Sequence, residues 1–189
     1  MRDFFADKKW VKKDYRDHRL PKGDYENCTF EDCQFQEGFL DNQHFVECQF
    51  LDCDLTNTNI AHTQFNDVVF EGCKLVGIRF ETCDPLLSSF QFKGCNLSLA
   101  SFYKMDMSNT VFCNCKLQKV DWTLTNLTNT KFKDCNLENA IFESSILEEA
   151  DFTSAFNFNI DPTRNTIKKS KYNKEGLIGL LKKYDLVVV

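Results

Sequence analysis

Residues 131–155 read KFKDCNLENAIFESSILEEADFTSA, and within them Phe132, Leu137, Phe142, Leu147 and Phe152 recur at every fifth position. Side chains share a face every 3.6 residues on a helix and every second residue on a strand, so a beat of five belongs to neither. Working outward, the beat runs back through Leu127, Trp122, Leu117, Phe112, Met107, Phe102 and Leu97 to Phe92. A slip of two residues within Glu81 to Gln91, a stretch holding Pro85 and Ser88-Ser89, separates this run from an earlier one. The earlier run is Tyr25, Phe30, Phe35, Leu40, Phe45, Phe50, Leu55, Ile60, Phe65, Phe70, Leu75 and Phe80. Twenty-five in-phase positions against an apolar background of 42% are not chance.

A second position repeats with the first. Cys28, Cys33, Cys48, Cys53, Cys73, Cys83, Cys95, Cys115 and Cys135 lie two residues before a beat position or its continuation, and that slot otherwise holds mostly Thr, Ala, Val and Ser. One large and one small inward residue per five imply a backbone that turns a corner after each short stretch and stacks on itself as a solenoid. Cys33, Cys53 and Cys73 are twenty residues apart, as are Cys95, Cys115 and Cys135, so one coil has four sides. The spacing of twenty-two from Cys73 to Cys95 makes the slip a local bulge, with Pro85 or Leu87 as alternatives for its inward slot. Phe90 is too large for the small slot it nominally occupies.

Gly94-Cys95 followed by Asn96-Leu97-Ser98, and Ala150-Asp151-Phe152-Thr153-Ser154, resemble the A-(D/N)-L/F-x-x unit of the pentapeptide repeat proteins, in particular their quinolone-resistance branch without its long loops. The resemblance covers about residues 24–156. It implies an all-β fold, a right-handed quadrilateral β-helix, with the other three positions of each unit pointing out. About six and a half turns at the strand spacing give a rod of about 31 Å. The expected organisation is an N-terminal cap over 1–23, the β-helix over 24–156, and a capping and dimerisation segment over 157–189. The cap is expected because the small slots before Phe5, Trp10, Tyr15 and Leu20 hold Asp3, Lys8, Lys13 and His18.

At the other end Asn173 is placed to cap a helix reaching about Tyr184, with Leu177, Leu180, Leu181 and Tyr184 on one face and Gly176 and Gly179 weakening it. Leu186 to Val189 reads as a terminal strand. This is more apolar surface than a narrow rod end needs, so a homodimer is expected through Leu177, Ile178, Leu180, Leu181, Tyr184, Leu186 and Val188. The quinolone-resistance branch assembles in the same way.

The residues offer little to chemistry. The cysteine spacings do not match a zinc site, His18, His44 and His62 are separated with no paired nucleophile, and none of the seven glycines builds a phosphate loop. An enzyme, a cofactor and a metal are therefore not expected. The opening MRDFFADKKW has no apolar signal region and no stretch is long enough to span a membrane, so a soluble cytoplasmic protein with free thiols is expected.

Charge is the remaining surface signal. Residues 1–23 carry +4, 24–84 carry −11, 85–154 carry −2 and 155–189 carry +4. Asp24, Glu26, Glu31, Asp32, Glu37, Asp41, Glu47, Asp52, Asp54, Asp67, Glu71 and Glu81 all take outward slots, with no compensating basic groups expected nearby. Such a surface repels nucleic acid. The family resemblance implies instead a DNA mimic whose acidic face engages DNA gyrase or topoisomerase IV and modulates quinolone sensitivity. The alternative is a structural platform for another protein partner.

Overall fold

The structure, a computed structural model, describes residues 2–86 and 88–187. The chain winds as a parallel β-solenoid. One face is a four-stranded sheet of β1 (Asp3–Ala6), β3 (Gly23–Glu26), β5 (His44–Val46) and β7 (Gln64–Asn66). The next is a seven-stranded sheet of β2 (Lys9–Val11), β4 (Thr29–Glu31), β6 (Gln49–Leu51), β8 (Val68–Glu71), β9 (Phe90–Lys93), β10 (Val111–Cys113) and β11 (Lys131–Lys133). The other two faces are ladders of single bridges, such as Gln34 to Asp54 to Lys74 to Asn96 and Ser101 to Asp121 to Ile141. Register is twenty residues per coil, as in Phe50 opposite Phe70, and twenty-two where Phe70 meets Phe92.

The beat residues fill the interior. Trp10, Phe30, Phe50, Phe70, Phe92, Phe112, Phe132, Phe152 and Tyr172 form one column of near-parallel rings with neighbouring centroids 4.8–5.6 Å apart. Rings of adjacent columns meet edge to face, as Phe102 does Phe112 at 81°. Both arrangements are favoured by the ring quadrupole. Nine rungs at about 4.8 Å give a rod of about 38 Å, longer than expected because the coil exceeds 24–156 at both ends.

At the N-terminal end, residues 3–20 are not a lid but a coil in register. Phe5 stacks on Tyr25 at 4.8 Å and Tyr15 on Phe35 at 5.0 Å. The charged residues in its small slots are tolerated because the outermost rung opens to water, and Asp3, Lys8, Lys13 and His18 are all exposed. At the other end, bridges from Ile146 to Thr166 and from Asp151 to Lys171 carry the coil beyond residue 156.

The small slot selects for more than size. Thr58, Thr63 and Thr125 donate their hydroxyls to the carbonyls of Phe35, Leu40 and Phe102, twenty-three residues earlier. Cys53, Cys73 and Cys135 point thiols at the equivalent carbonyls of Phe30, Phe50 and Phe112, 3.2–3.5 Å away. Thiol and hydroxyl thus occupy the same weak-donor position, which satisfies a second lone pair of a buried carbonyl.

Corners have their own chemistry. The residue two after most beat positions sits in the left-handed region, for example Asp32, Asn57, Asp67 and Asn129 at φ from 51° to 57°, with Thr82 and Ser154 as exceptions. Asn, Asp and Gly adopt that region most readily. The residue before the beat is often Asp or Asn, whose side chain accepts the N–H two residues on, as Asp54 does from Thr56 at 3.0 Å and Asn126 from Thr128 at 3.1 Å.

The slip resolves through Phe90. Pro85 is exposed and Leu87 lies outside the described residues, whereas Phe90, in a small slot, is buried and touches Phe65, Phe80 and Phe92. Its bulk fills space that the absent large residue of the neighbouring face leaves open.

Nine of the ten cysteines are buried and all are free. Burial pushes the Cys48 thiol up to about 12, and contact with the Cys53 and Cys95 thiols, reinforced by burial, raises Cys73. A disulfide-exchange reagent at pH 8 is therefore expected to titrate one thiol per native chain, Cys113, and all ten after denaturation. Cys113→Ser should remove the native reaction, and several fast thiols in the native protein would contradict the packing. Cys73→Ser keeps the donor and should cost less than about 1 kcal/mol, whereas Cys73→Leu overpacks the column by about 1–3 kcal/mol, read from thermal unfolding.

Candidate partner-binding surfaces

Stacking at a fixed register brings residues twenty apart together, and this redistributes the charge read from the sequence. Seven of the twelve outward carboxylates face a cation on an adjacent rung or on their own face. Arg2 reaches Asp24 at 3.1 Å, Lys9 reaches Glu31 at 2.5 Å, Lys12 approaches Asp32 at 4.0 Å and Arg19 reaches Asp41 at 3.2 Å. Lys74 pairs with Asp54 at 3.2 Å, Arg79 with Glu81 at 3.0 Å and Lys93 with Glu71 at 3.7 Å. The expectation that these carboxylates lack nearby basic groups is therefore corrected. The basic N-terminal segment is the first coil, and its cations lie one rung from the acids of the second. Asp54, expected outside, is instead buried, and its carboxylate is held by the Thr56 N–H and Lys74. The pairs whose two partners are exposed contribute about 0–1 kcal/mol each, so they chiefly cancel surface charge.

Glu26, Glu37, Glu47, Asp52 and Asp67 have no cation within 4.0 Å among the described residues. They are not evenly spread. Glu47 and Asp67 stand one rung apart in one corner column, with Glu26 beside that column one coil earlier. Asp52 lies at the next corner and Glu37 at the one after. Asp67 is held by the Ser89 hydroxyl at 2.8 Å.

The C-terminal segment builds the second surface. Asn173 Oδ1 accepts the Gly176 N–H at 2.6 Å, the cap expected from sequence. A 3-10 turn at Glu175–Leu177, a helical turn α1 (Ile178–Leu181) and a further 3-10 turn at Lys182–Tyr184 follow. The two glycines that weaken this helix are what allow it to dock. A Cβ on Gly179 would lie 2.6 Å from the Phe158 ring, and one on Gly176 would lie 2.9 Å from it. The Ile160 N–H donates to the Gly179 carbonyl at 3.0 Å, and Leu180 packs against the chain's own core.

Leu177, Ile178, Leu181, Tyr184 and Leu186 remain exposed, at 39–58% of their surface. Leu186 and Val187 are in no strand, and Val188, with Val189, lies outside the described residues. Lys183 clamps this segment to Asp161 at 2.6 Å and to Thr163. The Lys183 ammonium, with the Thr163 hydroxyl and N–H, holds the Asp161 carboxyl at about 2.

A third feature lies at the slip, where clefts of about 600 and 460 Å³ share Ser88, Asp106 and Ser108. No cluster of His, Cys, Asp and Glu suited to a metal ion, and no helix long and apolar enough to cross a membrane, occurs among the described residues.

Four-sided coils with two inward residues in five, joined by left-handed corners, define a parallel β-solenoid built from pentapeptide units. The family model of the pentapeptide repeat region matches residues 23–97 and 78–152. The chain belongs to the pentapeptide repeat family. Among solved structures it is similar to a trypsin-treated form of QnrB1, a plasmid-mediated fluoroquinolone resistance protein. The two share 18% identity at a TM-score of 0.49, over 100% of this chain and 98% of that one. It is also similar to HetL, involved in heterocyst differentiation regulation in the cyanobacterium Nostoc, at 13% identity and a TM-score of 0.45, over 88% and 86% of the two chains. A pentapeptide repeat protein of the Arabidopsis thaliana thylakoid lumen shares 22% identity at a TM-score of 0.45, over 63% and 74%. At these identities the likeness concerns the fold alone. The comparison with curated proteins gave no match.

Two outcomes follow for the C-terminal segment. Gly179→Ala is expected to undock it, raising amide exchange across residues 175–184 while leaving exchange at the Phe112 column unchanged. Because the Asp161 carboxyl is held below its ordinary 3.8, the Lys183 clamp is complete above that pH and weakens as pH falls toward 2. Exchange over 175–184 should rise across that window, and Asp161→Asn should remove the pH dependence.

Proposed function

We propose that this chain is a binding protein and not an enzyme, a rigid rod that works in the cytoplasm as a homodimer and presents its acidic half to a basic groove of another protein. The observation that carries the reading is the corner column of Glu47 and Asp67 with Glu26 beside it, whose carboxylates stay uncompensated while seven others are paired. A rod of about 38 Å is close to one helical turn of duplex DNA, about 34 Å. A surface of this sign and length suits a groove made for DNA, and electrostatic complementarity speeds encounter and weakens with salt. The narrower form of the proposal takes the partner as a type II topoisomerase, DNA gyrase or topoisomerase IV. The rod would act there as a DNA mimic that modulates quinolone sensitivity.

Dimerisation is proposed through the exposed Leu177, Ile178, Leu181, Tyr184 and Leu186. Light scattering at micromolar concentration should give about twice the chain mass of 22.1 kDa, and Leu181→Glu should return it to that mass. A wild-type mass near 22.1 kDa would overturn the dimer.

A second reading, a platform for a protein unrelated to DNA, is favoured by one observation. The cations of the first coil cancel much of the negative field. Gyrase supercoiling assays with and without ciprofloxacin separate the two. Under the mimic reading, micromolar protein inhibits supercoiling or restores it in the presence of drug. The triple variant Glu47→Asn, Asp52→Asn, Asp67→Asn, which keeps corner-compatible residues, should lose at least about tenfold in potency. No effect of the wild type in either assay removes the topoisomerase and leaves the platform.

A further inference from the structure

The seven-stranded sheet is the longest continuous surface of the rod, and it keeps one register through the slip, where Phe70 meets Phe92 and Glu71 meets Lys93. Each rung contributes one inward ring, from Trp10 at the first rung to Phe152 at the eighth. The residues before and after each ring point outward, so the face carries two outward columns. From the second rung to the seventh, the column after the ring reads Glu31, Leu51, Glu71, Lys93, Cys113 and Lys133. Acid, apolar, acid is followed by base, thiol, base. The column before the ring has Val69 and Val111 half-buried near its middle, with Lys9 at the first rung and Asp151 at the eighth.

Such a column is complementary to its own reverse. A two-fold axis lying along the strands, in the plane of contact and between the fourth and fifth rungs, reverses the rod while each column still faces its own copy. The second rung then meets the seventh of the other copy, the third meets the sixth and the fourth meets the fifth. Glu31 faces Lys133, Leu51 faces Cys113 and Glu71 faces Lys93, each contact occurring twice. In the other column Lys9 faces Asp151, and Val69 and Val111 face Gln91 and Gln49. Stacked sheets lie about 10 Å apart, within reach of these side chains. Other placements lose this match. An axis through the fourth or fifth rung sets Glu71 or Lys93 against itself. A shift of one whole rung sets Leu51 against Glu71, or Lys93 against Cys113, and rods lying parallel set Lys131 against Lys133.

We propose that this face is a lateral contact between two copies of the chain, with their rods antiparallel and the two-fold axis between the strands of Phe70 and Phe92. Within one chain Glu31 and Glu71 already hold Lys9 at 2.5 Å and Lys93 at 3.7 Å. Pairing gives each of these acids a second cation, from the other copy, and covers Leu51, Val69 and Val111. Eight rungs of three residues cover about 400 Å² per copy, about half of a standard interface side, so the contact is weak and salt-sensitive. It strengthens where rods are already held close together. It uses none of the residues proposed for the end-to-end dimer and does not depend on the topoisomerase reading.

The test is sedimentation equilibrium of the full-length Leu181→Glu chain, which lacks the end contact, at about 0.1–1 mM and low salt. A dimer is expected at the upper concentrations, dissociating as salt is raised. Glu31→Lys or Lys133→Glu, each added to that chain and checked for an unchanged circular dichroism spectrum and melting temperature, should weaken association at least about tenfold. Mixing the two variants should restore it, because Lys at position 31 of one copy then faces Glu at position 133 of the other while the remaining pair stays native. Residues 31 and 133 are five rungs apart in one chain, about 24 Å, so the recovery reports contact between copies. The proposal is overturned by a monomer throughout that concentration range, by a dimer that ignores both substitutions, or by a mixture that associates no better than either variant alone. Each of those results leaves the end-to-end dimer and the topoisomerase reading standing.

Discussion

One distance governs this molecule. Parallel strands stack about 4.8 Å apart because their backbone hydrogen bonds require it, and offset aromatic rings are in good contact at nearly the same separation. The column from Trp10 to Tyr172, with centroids 4.8–5.6 Å apart, satisfies both demands at once. Backbone ladder and side-chain core therefore reinforce each other at every rung, and a coil can be added or removed without redesigning its neighbours. Where one face lacks its large residue, the shortage is met locally, by Phe90 from the adjacent face.

The interior was legible because it repeats. Phe50, Phe70 and Phe112, read as inward from spacing alone, are 0–1% exposed, and the thiols lie in the columns that their twenty-residue spacing implies. The coil boundaries were less legible. Polar residues in the small slots of 1–23 argue against an interior, yet at the last rung that slot faces water, a property of position and not of residue type. Beyond residue 156 the beat is broken by Asn157 and Pro162, while the backbone keeps its register through Thr166 and Lys171.

The surface was legible only residue by residue. Asp54, expected on the outside, is buried under the neighbouring rungs at 9% exposure, and whether the other carboxylates stand alone depends on what lies twenty or twenty-two residues away. Lys9 beside Glu31 and Arg19 beside Asp41 follow from treating 1–23 as a coil, so one misread boundary carried into the electrostatics. Likewise Gly176 and Gly179 looked like defects in a helix considered alone. Only the position of Phe158 shows that they are the contact.

The left-handed corners bear on how such a surface evolves. Four of the five unpaired carboxylates, Glu37, Glu47, Asp52 and Asp67, occupy corner positions, where the backbone itself favours Asp, Asn or Gly. Part of the negative character of this rod is thus a by-product of turning. Exchange between Asp and Asn at a corner alters charge at almost no conformational expense, so the outside of the solenoid is free to drift between acidic and neutral while the stacked rings within hold the shape constant.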